Sequence, residues 1–211
     1  MKQLDTTMYF ITDSTNYSED EFLRRVEEAC KGGVTLIQLR EKNRTTREYL
    51  AIAEKVHKIT QRYDIPLIID DRVDVALAVN AEGVHVGQSD MPVKIARKLM
   101  GNDKIVGATA KTVPQALEAY EQGADYLGVG AIYPTTTKVK TVLTSVDTLK
   151  EIVKAVPVKV NAIGGLNKDN IHILKNSGID GICVVSAIMK AENPCSAAIE
   201  LREAFNELQQ N

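Results

Sequence analysis

The sequence predicts a single (β/α)8 TIM barrel over residues 1–211, and three observations carry that expectation. Short β-branched runs alternate with longer stretches of helical periodicity along the whole chain. A length of 211 residues suits one such barrel. No linker, low-complexity stretch or compositional shift interrupts the alternation, so the repeats are expected to close into one parallel sheet wrapped by helices. A doubly wound open sheet is the competing architecture. It usually carries about five or six strands and a G-x-G-x-x-G after the first, a motif that this chain lacks.

The elements follow in order. Tyr9-Phe-Ile-Thr12 is the first strand, and Glu19 to Lys31 is a helix with Phe22, Leu23, Val26 and Ala29 at helical spacing, stopped by Gly32-Gly33. Val34 to Leu39 is the second strand, followed by a helix from Thr45 to Gln61 carrying Leu50, Ala53, Val56 and His57. Ile65 to Ile69 is the third strand, with a short helix from Val73 to Val79; Gly83 to Val86 is the fourth, with a helix from Pro92 to Met100. Lys104 to Ala108 and Asp125 to Val129 are the fifth and sixth strands, separated by a helix from Val113 to Gln122. A helix from Asp147 to Ala155, a strand from Val158 to Ala162, a helix near Asn167 to Asn176, a strand from Gly181 to Val185 and a final helical region to Leu208 complete the pattern. Gly123-Ala-Asp125 and Gly178-Ile-Asp180 read as repeated helix-to-strand connections within one barrel.

Composition narrows the function classes. Hydrophobic residues make up 44% of the chain, enough for a sizeable core, and a formal charge of −2 with scattered basic residues gives no footprint for nucleic acid. Cys30, Cys183 and Cys195 have no CxxC spacing and are expected to be small core hydrophobes in a reducing compartment. No apolar run approaches the roughly 20 residues that cross a bilayer, and the start lacks a signal-peptide core. The expectation is a cytoplasmic protein acting on small molecules, with a homo-oligomer left open.

In such a barrel the chemistry gathers at the C-terminal strand ends. Gly128-Val-Gly-Ala-Ile-Tyr-Pro-Thr-Thr-Thr-Lys138 leaves the sixth strand at Tyr133-Pro134 and runs into hydroxyls and an ammonium, a chemistry suited to phosphate oxygens. Gln38 and Arg40 alternate with Ile37 and Leu39, which turns the polar pair toward the mouth; Lys42 and Lys138 add charge for a diphosphate. Asp71 and Asp90 leave adjacent strands about 4.8 Å apart, so their carboxylates are placed to share Mg2+, whose other positions water and substrate phosphate would fill. The other role open to these aspartates is capping the helix that follows. Gly164-Gly165 and Val185-Ser186 exit strands seven and eight, where barrels often hold a phosphate on backbone amides. His57, His85 and His172 show no metal-ligand spacing and are expected to be structural, while Ser186 has no nucleophile elbow. No lysine sits within a strand as a Schiff-base former, which argues against an aldolase.

Gln38-Leu-Arg-Glu-Lys42, Ile69-Asp-Asp-Arg-Val-Asp74, Gly83-Val-His-Val-Gly-Gln88 with Asp90, Pro134-Thr-Thr-Thr-Lys138 and Ala162-Ile-Gly-Gly165 together resemble the thiamine-phosphate synthase family, over nearly the whole chain. The resemblance implies a transferase that joins hydroxymethylpyrimidine diphosphate to hydroxyethylthiazole phosphate, releasing pyrophosphate by a dissociative, magnesium-assisted route. It implies that Gln38, Leu39, Arg40, Glu41, Lys42, Asp70, Thr109 and Lys138 hold the pyrimidine diphosphate, with Asp71 and Asp90 on magnesium. Thr135, Thr136, Thr137, Gly165, Val185 and Ser186 would hold the thiazole phosphate, and Lys138, Arg40 and Thr109 would act in catalysis. Asp70 stands where the family usually has asparagine, Thr109 where it has serine and Lys111 where histidine is common. The segment Val139 to Thr144 also differs from the family's acidic, glycine-containing lid. A related thiazole tautomerase shares the barrel but relies on a histidine near the Lys111 position. A barrel that binds phosphate ligands without turnover is the remaining alternative.

Overall fold

A strand of four or five residues cannot bury both faces alone, and the chain solves this by closing the sheet. β1 (Met8–Ile11), β2 (Leu36–Leu39), β3 (Leu67–Asp70), β4 (Gly83–Val86), β5 (Ile105–Ala110), β6 (Tyr126–Gly130), β7 (Lys159–Ile163) and β8 (Gly181–Val184) pair in parallel in chain order, and β8 returns to β1. The computed structural model describes residues 4–134 and 142–210, and all eight strands lie within them.

Side chains alternate across this wall. Tyr9, Ile11, Leu36, Ile68, Tyr126 and Cys183 pack together as the inner plug. Phe10, Ile37, Leu67, Ile69 and Val84 join the layer beneath the helices. Full burial of each such side chain stabilises the fold by about 1.5–3 kcal/mol. Gly107 is required here, because a Cβ on it would stand 2.1 Å from Cζ of Tyr126, whose ring spans the barrel at that level.

The helices begin where side chains satisfy their free amides. α1 (Glu19–Lys31) starts on Ser18 and has an acidic first turn; α2 (Thr46–Arg62) starts on a capping box of Thr45 and Glu48. α3 (Val73–Ala78) and α4 (Val93–Met100) follow β3 and β4 without a side-chain cap. Thr112 caps α5 (Val113–Glu121) and Ser145 caps α6 (Val146–Ala155). α7 (Ser186–Met189) and α8 (Pro194–Gln210) end the chain. No helix among the described residues is long and apolar enough to cross a membrane.

At the opposite end from the site, the recurring aspartates have a defined task. Asp125 Oδ2 accepts the Val106 amide and Asp180 Oδ2 the Val160 amide, both at 2.8 Å, while each aspartate's own N–H returns to the same residue's carbonyl. Each connection thereby ties the start of one strand to the start of the strand before it.

The structure corrects two expectations. Between 167 and 176 only a 3-10 turn forms, Ile171–Leu174. Asn170 Oδ1 accepts the Asn167 amide and Asn167 Oδ1 the Asp169 amide, so the side chains take donors that a helix would use. The last helical region is two helices, with Pro194 opening the second.

Candidate active site

Inward parity carries Gln38, Asp70, His85 and Thr109 to the open end of the barrel, on β2, β3, β4 and β5. They line a cavity of about 340 Å³ together with Arg40, Lys42, Asp71, Asp90 and Lys111; Gly164, Gly165, Val185 and Ser186 form its far wall. A second, polar cavity of about 720 Å³ adjoins it, sharing Arg40, Lys42, Val185 and Ser186.

Charge is matched at short range on the near wall. Lys42 Nζ lies 2.7 Å from Asp70 Oδ2 and also contacts Asp71, while Arg40 Nε stands 3.9 Å from the same Asp70 oxygen. Burial alone would lower the Lys42 pKa, but the two carboxylates outweigh it and the net shift is upward, so the ammonium keeps its charge. Asp70 thus sits among cations, and its negative charge is largely neutralised before any ligand arrives.

Asp71 and Asp90 face each other across the β3 and β4 exits. Burial, and then the neighbouring Asp71 carboxylate, raise the Asp90 pKa against the opposing bond from the Gly87 amide. Neither aspartate caps a helix: the N-cap residues of α3 and α4 are Arg72 and Pro92, neither with a side-chain cap bond, which removes the alternative role. Two adjoining carboxylates of this kind fit a hard divalent cation. Among the described residues no cluster of three or more His, Cys, Asp and Glu side chains that could hold a metal ion forms, so a cation here would rest on these two carboxylates with water and substrate oxygens. Asp71 has φ 60, and the Arg72 amide donates to the Asp70 carbonyl at 2.7 Å across it. This tight left-handed turn aims the carboxylate back at the mouth, a backbone strain of the kind found at functional sites.

Behind these charges lies a buried polar chain. Gln38 Nε2 donates to the Tyr9 hydroxyl at 2.6 Å, Tyr9 and Tyr126 hydroxyls are 2.6 Å apart, Tyr126 Oη is 3.1 Å from His85 Nδ1, and His85 Nε2 is 2.9 Å from Thr109 Oγ1. Burial pushes both tyrosine pKa values well above the ordinary range. Gln88 Nε2 holds the Thr109 carbonyl at 2.7 Å.

On the far wall, Gly164 and Gly165 have φ 106 and 65. A Cβ on Gly165 would lie 2.7 Å from Tyr133 Cβ and 2.8 Å from the Pro134 carbonyl. The Tyr133 amide donates to the Gly164 carbonyl at 3.0 Å, and the Thr144 amide to the Ala131 carbonyl at 2.8 Å.

The sequence-predicted residues therefore divide. Gln38, Arg40, Lys42, Asp70, Asp71, Asp90, Thr109, Gly165, Val185 and Ser186 meet around one cavity. Leu39 belongs to the outer layer and offers its carbonyl to Tyr49 Oη at 2.7 Å. Glu41 faces the adjoining cavity, where its Oε2 accepts from Ser14 and Arg44. Thr135, Thr136, Thr137 and Lys138 lie outside the described residues. His57 bonds the Val79 carbonyl and Glu82 away from the site, as a structural residue would. His85 instead lines the cavity, a placement its alternation with Val84 and Val86 already encoded.

The chain is similar along nearly its whole length to known proteins. The chain is 51% identical over 206 residues to a thiamine-phosphate synthase of Clostridium tetani, covering 98% of this chain and 99% of that one. It is 50% identical over 205 residues to one from Methanobrevibacter smithii, covering 97% and 98%. Among solved structures, a thiamine phosphate pyrophosphorylase from Pyrococcus furiosus superposes with a TM-score of 0.87 at 42% identity over 96% of both chains. The family model described as thiamine monophosphate synthase matches residues 8–188. The chain belongs to the thiamine monophosphate synthase family.

Proposed function

We propose that this transferase of thiamine biosynthesis joins hydroxymethylpyrimidine diphosphate to hydroxyethylthiazole phosphate, giving thiamine phosphate and pyrophosphate. The observation that carries the reading is the pairing of a cation-fitting carboxylate couple, Asp71 and Asp90, with Arg40 and Lys42 on one wall of the cavity. That combination suits a leaving diphosphate better than any nucleophile or Schiff-base chemistry.

In this reading the bond from the pyrimidine methylene carbon to the diphosphate oxygen breaks, and its electron pair leaves with the diphosphate. The thiazole nitrogen lone pair then forms the new carbon–nitrogen bond. Bound between Asp71 and Asp90, Mg2+ would supply Lewis-acid stabilisation of the departing oxygens. Lys42 and Arg40 exchange part of their pairing with Asp70 for contacts to the diphosphate, and Lys138 and the hydroxyls of Thr135, Thr136 and Thr137 are assigned by resemblance. Gly165, Val185 and Ser186 line the far wall and would hold the thiazole phosphate, so that the two reactants meet above Thr109. Positioning and charge stabilisation then supply the catalysis, with no covalent enzyme intermediate.

The test is to mix the protein with both substrates and Mg2+ and to measure thiamine phosphate and pyrophosphate with and without a chelator. Product that disappears with chelator supports the assignment. Thiazole phosphate bound without product at any Mg2+ concentration would reject it in favour of a binding protein or a thiazole tautomerase, which a tautomerisation assay separates.

A further inference from the structure

The polar chain behind the cavity has a direction. Gln38 donates an amide N–H to Tyr9 Oη, whose other partner is Tyr126 Oη; with every buried hydroxyl proton satisfied, Tyr9 gives its own to Tyr126. Tyr126, having accepted, has His85 Nδ1 as its acceptor. Nδ1 therefore carries the lone pair, and the imidazole proton sits on Nε2, pointing at Thr109 Oγ1. Thr109 accepts that bond on one lone pair and keeps its own hydroxyl proton, which the opposite tautomer would draw to Nε2. Gln38, Tyr9 and Tyr126 are at most 3% exposed, so no solvent exchange scrambles the order, while Thr109 is the half-buried end that opens on the cavity.

We propose that Gln38, Tyr9, Tyr126 and His85 form a one-way hydrogen-bond relay that fixes His85 as the Nε2–H tautomer, so that Thr109 keeps its hydroxyl proton for an acceptor atom of the ligand. An unprotonated ring nitrogen of the pyrimidine, or a diphosphate oxygen, can take that proton; in the other tautomer it would go to His85 Nε2 and be lost to the ligand. His85, Tyr126 and Tyr9 are positioning residues, since they act on the ligand through Thr109. The identity of the ligand rests on the function proposed above; the order of the protons does not.

The relay makes an asymmetric prediction. Tyr126→Phe removes the proton offered to His85 Nδ1. Tyr9→Phe removes a hydroxyl of equal size one step earlier, but leaves Tyr126 with His85 as its acceptor. Both phenols lie in the same inner plug, so a merely structural role predicts similar consequences for both. Protein labelled with ¹⁵N-histidine near neutral pH, with the His85 signals identified by their loss in His85→Gln, reads the tautomer directly. Expected is a single Nε2–H form in the wild type, a mixture with Nδ1–H in Tyr126→Phe, and a smaller admixture in Tyr9→Phe. A wild-type Nδ1–H form, or an equal change in both variants, overturns the relay. In steady-state kinetics Tyr126→Phe is expected to raise KM for the pyrimidine diphosphate about tenfold and leave KM for the thiazole phosphate within twofold. A changed tautomer with unchanged pyrimidine KM would overturn the role in binding the ligand. If the wild type makes no thiamine phosphate, the function proposed above fails while the spectra still decide the proton order.

Discussion

Lys42 Nζ stands 2.7 Å from Asp70 Oδ2, and the pair spans β2 and β3 at the mouth of the barrel. The carboxylate that extends the negative charge of Asp71 and Asp90 is thus answered by a lysine, with Arg40 on the same oxygen at 3.9 Å. Asp70 competes with an incoming anion for both cations.

Asp70→Asn should therefore free Lys42 and Arg40 for the diphosphate. The expected result is a KM for the pyrimidine diphosphate two- to fivefold lower, with folding intact. A KM that rises tenfold would show that Asp70 holds the cations in their working geometry instead.

Removing the charge of Asp71 should abolish the response to magnesium. Asn is the better replacement, because Asp71 sits at φ 60, where asparagine is tolerated and a β-carbon without a polar group is strained. Asp71→Asn is expected to keep its circular dichroism spectrum and to need at least tenfold more Mg2+ for half-maximal rate. Near-full turnover at the wild-type Mg2+ concentration would take Asp71 away from the metal.

The raised pKa of Asp90 gives a pH dependence with a definite sign. Its carboxyl holds a proton to higher pH in the folded state than in the unfolded chain. That contribution to stability is present at low pH and is lost as pH rises through the raised folded value. Mg2+ competes with that proton, so the increase in Tm on adding Mg2+ should be small in acid and grow toward neutrality. Asp90→Asn should flatten that growth; a Tm increment independent of pH in the wild type would separate this carboxyl from the cation.

Gly107→Ala should destabilise the barrel through the Tyr126 ring. Its Cβ would stand 2.1 Å from the Tyr126 ring, which is fully buried. A cost of about 1–3 kcal/mol follows from overpacking of this kind, or a loss of about 2–4 °C in Tm for each kcal/mol. An unchanged melting curve would mean that the ring shifts freely.

The barrel and much of the site were legible because both rest on period-two parity. Gln38 and Arg40 beside Ile37 and Leu39 state which side of β2 is the inside, and the structure places both polar groups on the cavity. The same parity places His85, but a histidine flanked by valines reads first as a core residue, and its partners Tyr126 and Thr109 are 41 and 24 positions away. The Lys42 to Asp70 contact was hidden for the same reason: nothing local in either segment specifies a partner on the next strand. Around Asn167 and Asn170, helical periodicity was outweighed by side chains that bind nearby amides. Leu39 and Glu41 sit in a contiguous motif, yet the alternation of the strand and the turn beyond it send them to different surroundings.

The carboxylates of Asp125 and Asp180 act on alignment as well as on hydrogen bonding. A parallel strand that slips by one residue inverts which of its side chains faces inward. At β5 and at β7 such a slip would also withdraw the Val106 or Val160 amide from its aspartate and leave that charge without its backbone donor. Misthreaded pairings at these two seams are thereby penalised at the end of the molecule that does no chemistry. The mouth can then accumulate crowded like charges and a left-handed turn, because the threading that brings them together is checked elsewhere.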